Sequence, residues 1–482
     1  MAELLETTAP QEPKGNPLGY APIGKLLVKF AIPGIVAQVV NSLYNIIDQI
    51  FIGNFVGSLG NGATSIVFPI STMVIAIILM IGDGAASFMS LRLGEKREKE
   101  AADGVAAGIA SLIVVSVVMT AFAIIFMRPL CKMFGSSENI LPYAIDYGTV
   151  TAIGFPFVAF CAGGSSIIRA DGNPKFNMYG LFAGTITNIT LDALFIIVLG
   201  WGVKGAALAT ISGQFVNCCM NIWYLKCRVA SIDLKFENFR YWWRNLLPVC
   251  KLGISSFITQ ASMVVAMAAR NNTLTHYGAL SKYGADIPVT TLGITMKFFA
   301  IFMCVILGLA AGAQPIFGFN YGAGNYDRVK KTYKTVVIIA SIAAVFTFAI
   351  AQIFPLQIIS IFGKEDALYN EFAVKCMRIY LGLIPLAGFQ ISTGIFFQAT
   401  GYPVQASIMS LSKQILFQVP ATLILPIFIG VVGCLWAGPV ADFLSTALTL
   451  ILLLAYWKKI FSKPVLNAAP AEAPAEVPSE AD

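Results

Sequence analysis

The stretch 167–177, IIRADGNPKFN, returns at 396–406 as FFQATGYPVQA, with Gly172 and Pro174 matched by Gly401 and Pro403 at an offset of 229 residues. The match extends outward. Phe134-Gly135 followed by acids recurs as Phe362-Gly363, Gly94 pairs with Gly322, and Gly202-Val203 with Gly205 pairs with Gly430-Val431 and Gly433, at offsets of 228 or 229. Gln38 aligns with Gln260 at the smaller offset of 222, which leaves a longer loop early in the second copy. The chain is therefore a tandem repeat whose two halves run in the same direction.

Composition says what is repeated. Of 482 residues, 57% are hydrophobic and 12% are charged, against about 25% charged in soluble proteins. The apolar residues fall in blocks long enough to cross a hydrocarbon layer of about 30 Å. Twelve spans are expected near 26–53, 63–91, 104–127, 142–168, 177–199, 203–226, 246–273, 288–316, 333–354, 376–400, 404–429 and 432–457. The blocks do not alternate with the period of a barrel strand, so they read as helices. The expected fold is an all-α membrane protein with twelve transmembrane helices in two pseudo-symmetric six-helix lobes. A soluble enzyme, a nucleic-acid binder and a disordered chain are excluded.

Lys and Arg give the orientation. Placing the N-terminus in the cytoplasm puts 22 of them in inner segments and 7 in outer ones, which directs both termini inside. The expected layout is an N-terminal segment at 1–20, an N-lobe at 21–226, a linker at 227–245, a C-lobe at 246–460 and a disordered Ala/Pro/Glu tail at 461–482. No secretory signal pattern precedes the first span. Trp242 and Trp243 in the linker suit an interfacial belt. The nine cysteines include no CxxC pair and read as buried hydrophobes, and the lone His276 builds no metal cluster. No cofactor is expected. Gly104 and Gly108 read as close packing within the bundle rather than a dimer face, so a monomer in the lipid bilayer is expected.

Ionisable groups inside hydrocarbon are costly and point to function. The spans hold Asp48, Asp83, Asp192, Lys297, Lys413 and Asp442. Asp83 lies near the inner end of its span, where water or a neighbouring base accounts for it. Lys297 and Lys413 have stems long enough to snorkel or pair. Asp48 and Asp192 stand in the outer third and belong to polar stripes. Asn41, Asn45 and Asp48 share one helical face, as do Thr185, Asn188 and Asp192. Span 6 adds Thr210, Gln214, Asn217 and Asn221, with Thr210 at the depth of the two acids. Amides and hydroxyls alone would read as interhelical hydrogen bonds. Two carboxylates at one depth favour holding a proton or a hard cation between them.

At these residues a family resemblance appears. IPGIVAQVVNSLYNIIDQIFIGN (32–54), IRADGNP (168–174), TNITLDALFI (187–196) and GVKGAALAT (202–210) resemble motifs of the multidrug and toxic compound extrusion (MATE) transporters, DinF-like branch. The resemblance implies two rocking lobes in a prokaryotic cytoplasmic membrane. It also implies export of amphipathic, often cationic drugs in exchange for H⁺ or Na⁺. It places ion coupling on Asp48, Asn188, Asp192 and Thr210, which become the metal ligands if the ion is Na⁺. Drug contacts fall at Gln38, Asn41, Tyr44, Asn45, Thr185 and Gln214, and a helix bend at Pro33. Acids that some relatives carry in spans 7 and 10 are absent, with Gln260, Gln390 and Gln398 there instead, so coupling concentrates in the N-lobe. A flippase for lipid-linked sugars or phospholipids is the rival, and the excess of acids over bases in the first half's spans argues for a cationic cargo.

Overall fold

The computed structural model describes residues 16–462 except 57, 135, 137, 285 and 362–366. The twelve spans are present. In the N-lobe they are Ile23–Phe55, Ser58–Gly94, Glu98–Met133, Leu141–Ala170, Pro174–Val198 and Gly202–Cys227. In the C-lobe they are Trp243–Ala279, Asp286–Gly322, Tyr326–Ile353, Ala367–Ala399, Pro403–Ile429 and Val431–Phe461. Most helices extend past the apolar blocks, because polar turns at either end continue the same helix into the interface. Among the described residues, ten helices are long and apolar enough to cross a membrane, and span 4, bent by 50° at Gly154, adds an eleventh. Span 6 completes the set and is less apolar because Thr210, Gln214, Asn217 and Asn221 interrupt it.

The repeat is visible in the backbone. Gly172 and Gly401 both take positive φ, +94° and +82°, in the turns between spans 4 and 5 and between spans 10 and 11. A side chain is strained in that conformation. Pro174 and Pro403 then open the next helix, where a missing N–H costs nothing. Gly104 and Gly108 pack on Phe88 and Ala85 of span 2, so this face is used inside the bundle.

The lobes meet along a seam of small residues on the side that carries both described ends of the chain. Gly34 and Gly308 bring spans 1 and 8 into backbone contact, and a Cβ on Gly34 would lie 2.9 Å from the Gly308 oxygen. One turn nearer the chain ends, Gly312 packs on Phe30 and Ala31. The repeat carries that contact to Gly84 of span 2 on Gly253 of span 7, and Gly94 meets Gly322. Polar groups join the seam at Gln314, which donates to Ser87 Oγ at 3.0 Å, and at Asp83. Asp83 accepts from Ser166 at 2.6 Å and from Ser256 of the other lobe at 2.7 Å, with Arg169 at 3.9 Å.

Two chain segments are tied down on the same side. The one-turn helix Pro17–Tyr20 and the start of span 1 join the C-lobe core, with Leu18 buried. Asn320 donates to the Leu18 oxygen at 2.9 Å, and Arg328 to the Ala21 oxygen at 2.7 Å. Span 7 already begins at Trp243, inside the expected linker. The remaining linker is held to the N-lobe by Asp171, which accepts from Tyr224 at 2.6 Å and from the Ser231 N–H at 2.9 Å.

Candidate functional site

Spans 5 and 6 are pressed together by glycines. A Cβ on Gly184 would lie 2.7 Å from the Gly213 oxygen, and Gly213 also faces the Cβ of Asn188. Asn188 stands one turn beyond Gly184 and Asp192 one turn further. Thr210 stands one turn from Gly213. The close approach of the two backbones therefore brings these polar groups to one seam between helices.

Span 1 joins them through an apolar cluster. Ile52, Ile196 and Ala206 touch, with Phe51, Val56 and Tyr147 packed around them. Each of the three lies one helical turn from a polar residue: Ile52 from Asp48, Ile196 from Asp192 and Ala206 from Thr210. The apolar cluster caps the polar one, which sits a turn deeper. Asp192 closes the regular part of span 5, and a π-helix at Ala193–Val198 follows it. Such widened turns recur at functional sites.

The group is buried: Asp192 is 0% exposed, Asn188 2% and Asp48 9%. Both Asp192 oxygens, Asp48 Oδ1 and both polar atoms of the Asn188 amide find no hydrogen-bond partner among the described residues. Thr210 is buried beside them. Asp192 feels the charge of Asp48, and the Tyr147 hydroxyl of span 4 feels both. Buried carboxylate oxygens without donors are unfavourable as bare charges. Two carboxylates, an amide oxygen and a hydroxyl form an oxygen-only set that fits a hard cation, and the carboxylates alone fit a shared proton.

The other expected positions divide. Gln38, Thr185 and Gln214 are half-buried and Asn41 is exposed. Asn41 is two turns from Gly34 on the face of span 1 that meets span 8, so it looks into the gap between lobes beyond the seam. Gln214 keeps a buried Oε1 without a partner among the described residues. The side chains of Tyr44 and Asn45 lie outside the described residues. Pro33 is buried inside span 1, which runs as one helix from Ile23 to Phe55. Asn221 is structural: its amide donates to the Phe160 oxygen at 2.9 Å and to Ser165, bridging span 6 to the π-turn of span 4. Tyr147 was not expected; its only signal was a phenol within an apolar block.

Two six-helix lobes built on one repeat, with paired acids buried in the outer part of the N-lobe spans and a glycine seam between the lobes, are the build of a multi-pass membrane transporter. The MatE family model matches residues 33–194 and 273–424, and the chain belongs to that family. It is 24% identical over 437 residues to the multidrug export protein MepA of Staphylococcus aureus, covering 90% of this chain and 94% of that one. The Staphylococcus haemolyticus MepA is 23% identical over 433 residues, covering 89% and 93%. Among solved structures, the MATE multidrug transporter DinF-BH is 32% identical with a TM-score of 0.85, covering 94% of this chain and 100% of that one. A MATE in complex with MaL6 superposes with a TM-score of 0.87 at 22% identity, over 94% and 100%.

Proposed function

We propose that this protein is a secondary active antiporter. It exports amphipathic, often cationic molecules across the cytoplasmic membrane in exchange for H⁺ or Na⁺, by alternating access of its lobes. One observation carries the reading: Asp48 and Asp192 are buried together with carboxylate oxygens that no described donor satisfies. Burial makes their charge state an energetic switch. The proposal takes the seam side as cytoplasmic. In that orientation, H⁺ or Na⁺ arriving from outside neutralises the pair. Spans 1, 5 and 6 then pack more closely, and cargo held along Gln38, Asn41, Thr185 and Gln214 loosens. Release of the ion inside restores the bare acids, and with them the state that captures cargo. The ion drives the cycle only by its different affinity for the two states.

The experiment is ethidium efflux from proteoliposomes under a pH gradient or a Na⁺ gradient imposed separately. Whichever gradient drives the wild type identifies the ion. Asp48→Asn should abolish gradient-driven efflux while leaving a folded protein. Efflux at the wild-type rate from that variant would overturn the assignment.

A further inference from the structure

Above the seam, the C-lobe wall of the gap carries a charge that nothing described so far uses. Cys304, Gly308 and Gly312 form a buried stripe on span 8, and its glycines pack against span 1 of the other lobe. The same stripe continues toward the far side as Ile301, Lys297 and Gly293, all exposed. Lys297 lies three turns from Gly308, a spacing that returns a helix to nearly the same face. It therefore looks across the gap toward the span 1 face that carries Gln38 and Asn41.

Lipid is a poor alternative neighbour. Lys297 is eleven residues inside the Asp286 end of span 8, about 16 Å of helix, near the middle of a hydrocarbon layer of about 30 Å. The snorkelling expected of Lys297 does not hold at this depth, because a lysine stem does not reach the interface from there, and an ammonium facing acyl chains is strongly unfavourable. Two other bases within the C-lobe spans are engaged. Lys413 is paired with Asp442 at 2.8 Å and hydrogen-bonded to Gln390 at 3.0 Å, and Arg270 donates to the Tyr380 hydroxyl at 2.8 Å. Lys297 has no ion pair or hydrogen bond among the described residues. The gap thus has acids buried behind one wall and an uncompensated ammonium on the other.

We propose that Lys297 anchors an anion-accepting subsite on the C-lobe wall, so that the cargo includes amphiphiles bearing a carboxylate, sulfonate or phosphate. A zwitterion spans the gap best, its cationic end toward the acidic lobe and its anionic end on Lys297. The inference extends the antiporter reading and rests on it for the direction of transport, but not for binding.

The test uses a matched pair of dyes at equilibrium with the purified full chain and no ion gradient. Tetramethylrhodamine free acid and its methyl ester share the cationic ring system and differ in the carboxylate. Wild type should bind the acid about tenfold or more tightly than the ester, the size expected of one charge-assisted contact. Lys297→Gln should remove that preference while keeping ester affinity. Lys297→Glu should reverse it, and Lys297→Arg should retain it. Equal binding of acid and ester by wild type overturns the proposal, and so does a Lys297→Gln variant that weakens both dyes alike. Gradient-driven ethidium efflux is read separately, so failure of the antiporter reading leaves this outcome distinguishable.

Discussion

Ser256 of span 7 donates to Asp83 of span 2 at 2.7 Å, a hydrogen bond that crosses from one lobe to the other. The contact is reinforced on both flanks. Ser166 occupies the second carboxylate oxygen at 2.6 Å, and Gln398 of span 10 donates to Ser256 at 3.1 Å. Arg169 donates to Ser166 at 2.8 Å, which keeps a positive charge beside Asp83. A carboxylate, two hydroxyls and an amide thus bridge a seam made largely of glycine and apolar atoms.

This bridge should favour the state in which the seam is closed. A hydrogen bond to a charged group contributes about 1.5–3 kcal/mol, enough to move a two-state equilibrium by roughly ten- to a hundredfold. Asp83→Leu should therefore populate the state opened on the seam side. Asp83→Asn keeps a carbonyl acceptor for one serine and should shift it less. Distances between spin labels on the two lobes, in a cysteine-free background, would read the shift. Identical distance distributions in wild type and Asp83→Leu would show that the bridge only fills space.

Lys413 and Asp442 make a different prediction, because their pair lies within one lobe. Side-chain exposure is 23% and 15%, so neither charge is well hydrated. Lys413→Met leaves a carboxylate without its base and should cost about 3–5 kcal/mol. Lys413→Met combined with Asp442→Leu removes both charges and should recover most of that loss. Thermal unfolding of the two single variants and the double in detergent measures the coupling. Additive losses would mean that the two charges do not stabilise the fold as a pair.

How far sequence reached depended on whether a signal was local. The stripe Thr185, Asn188, Asp192 is periodic within one helix, and Gly172 and Gly401 repeat at a fixed offset, so both could be read without coordinates. The matched glycines Gly94 and Gly322 were legible as equivalent positions, but not as partners that touch. The Asp83 bridge was not legible, because Ser166, Ser256 and Gln398 come from three other helices and no spacing relates them. The π-turns at Ala159–Gly164, Ala193–Val198 and Ser412–Gln418 were also hidden. They arise from packing between helices and leave the hydrophobic blocks unchanged. Tyr147 and the docking of Pro17–Tyr20 on the C-lobe belong to the same class.

The glycine seam between spans 5 and 6 should be as sensitive as the acids it positions. A Cβ at Gly184 would press on the Gly213 backbone oxygen, which no rotamer change relieves. Gly184→Val should separate the helices and move Asn188 away from Thr210. Gradient-driven efflux and the unfolding midpoint should both fall, although every polar side chain of the site is intact. Gly24→Ala is the control, since nothing lies within 4 Å of its added Cβ and alanine favours a helix by up to about 1 kcal/mol. Equal behaviour of the two variants would contradict the seam's role.

Arg328 supplies a further tie between lobes, of a different kind from the Asp83 bridge. Its guanidinium donates to the Ala21 oxygen at 2.7 Å and to the Leu18 oxygen at 3.3 Å, while Nε rests on Asn320 Oδ1 at 3.1 Å. These carbonyls lead directly into span 1 of the N-lobe, yet Arg328 begins span 9 of the C-lobe. A rocking motion must stretch this short connection or release it. Arg328→Ala should therefore shift the lobes in the same direction as Asp83→Leu. The two sites share no hydrogen-bond partner, so their effects should add in free energy. Spin-label distances in the double variant would show a population ratio equal to the product of the single shifts. A double variant no different from Asp83→Leu alone would mean that the N-terminal segment follows the C-lobe passively and holds nothing closed.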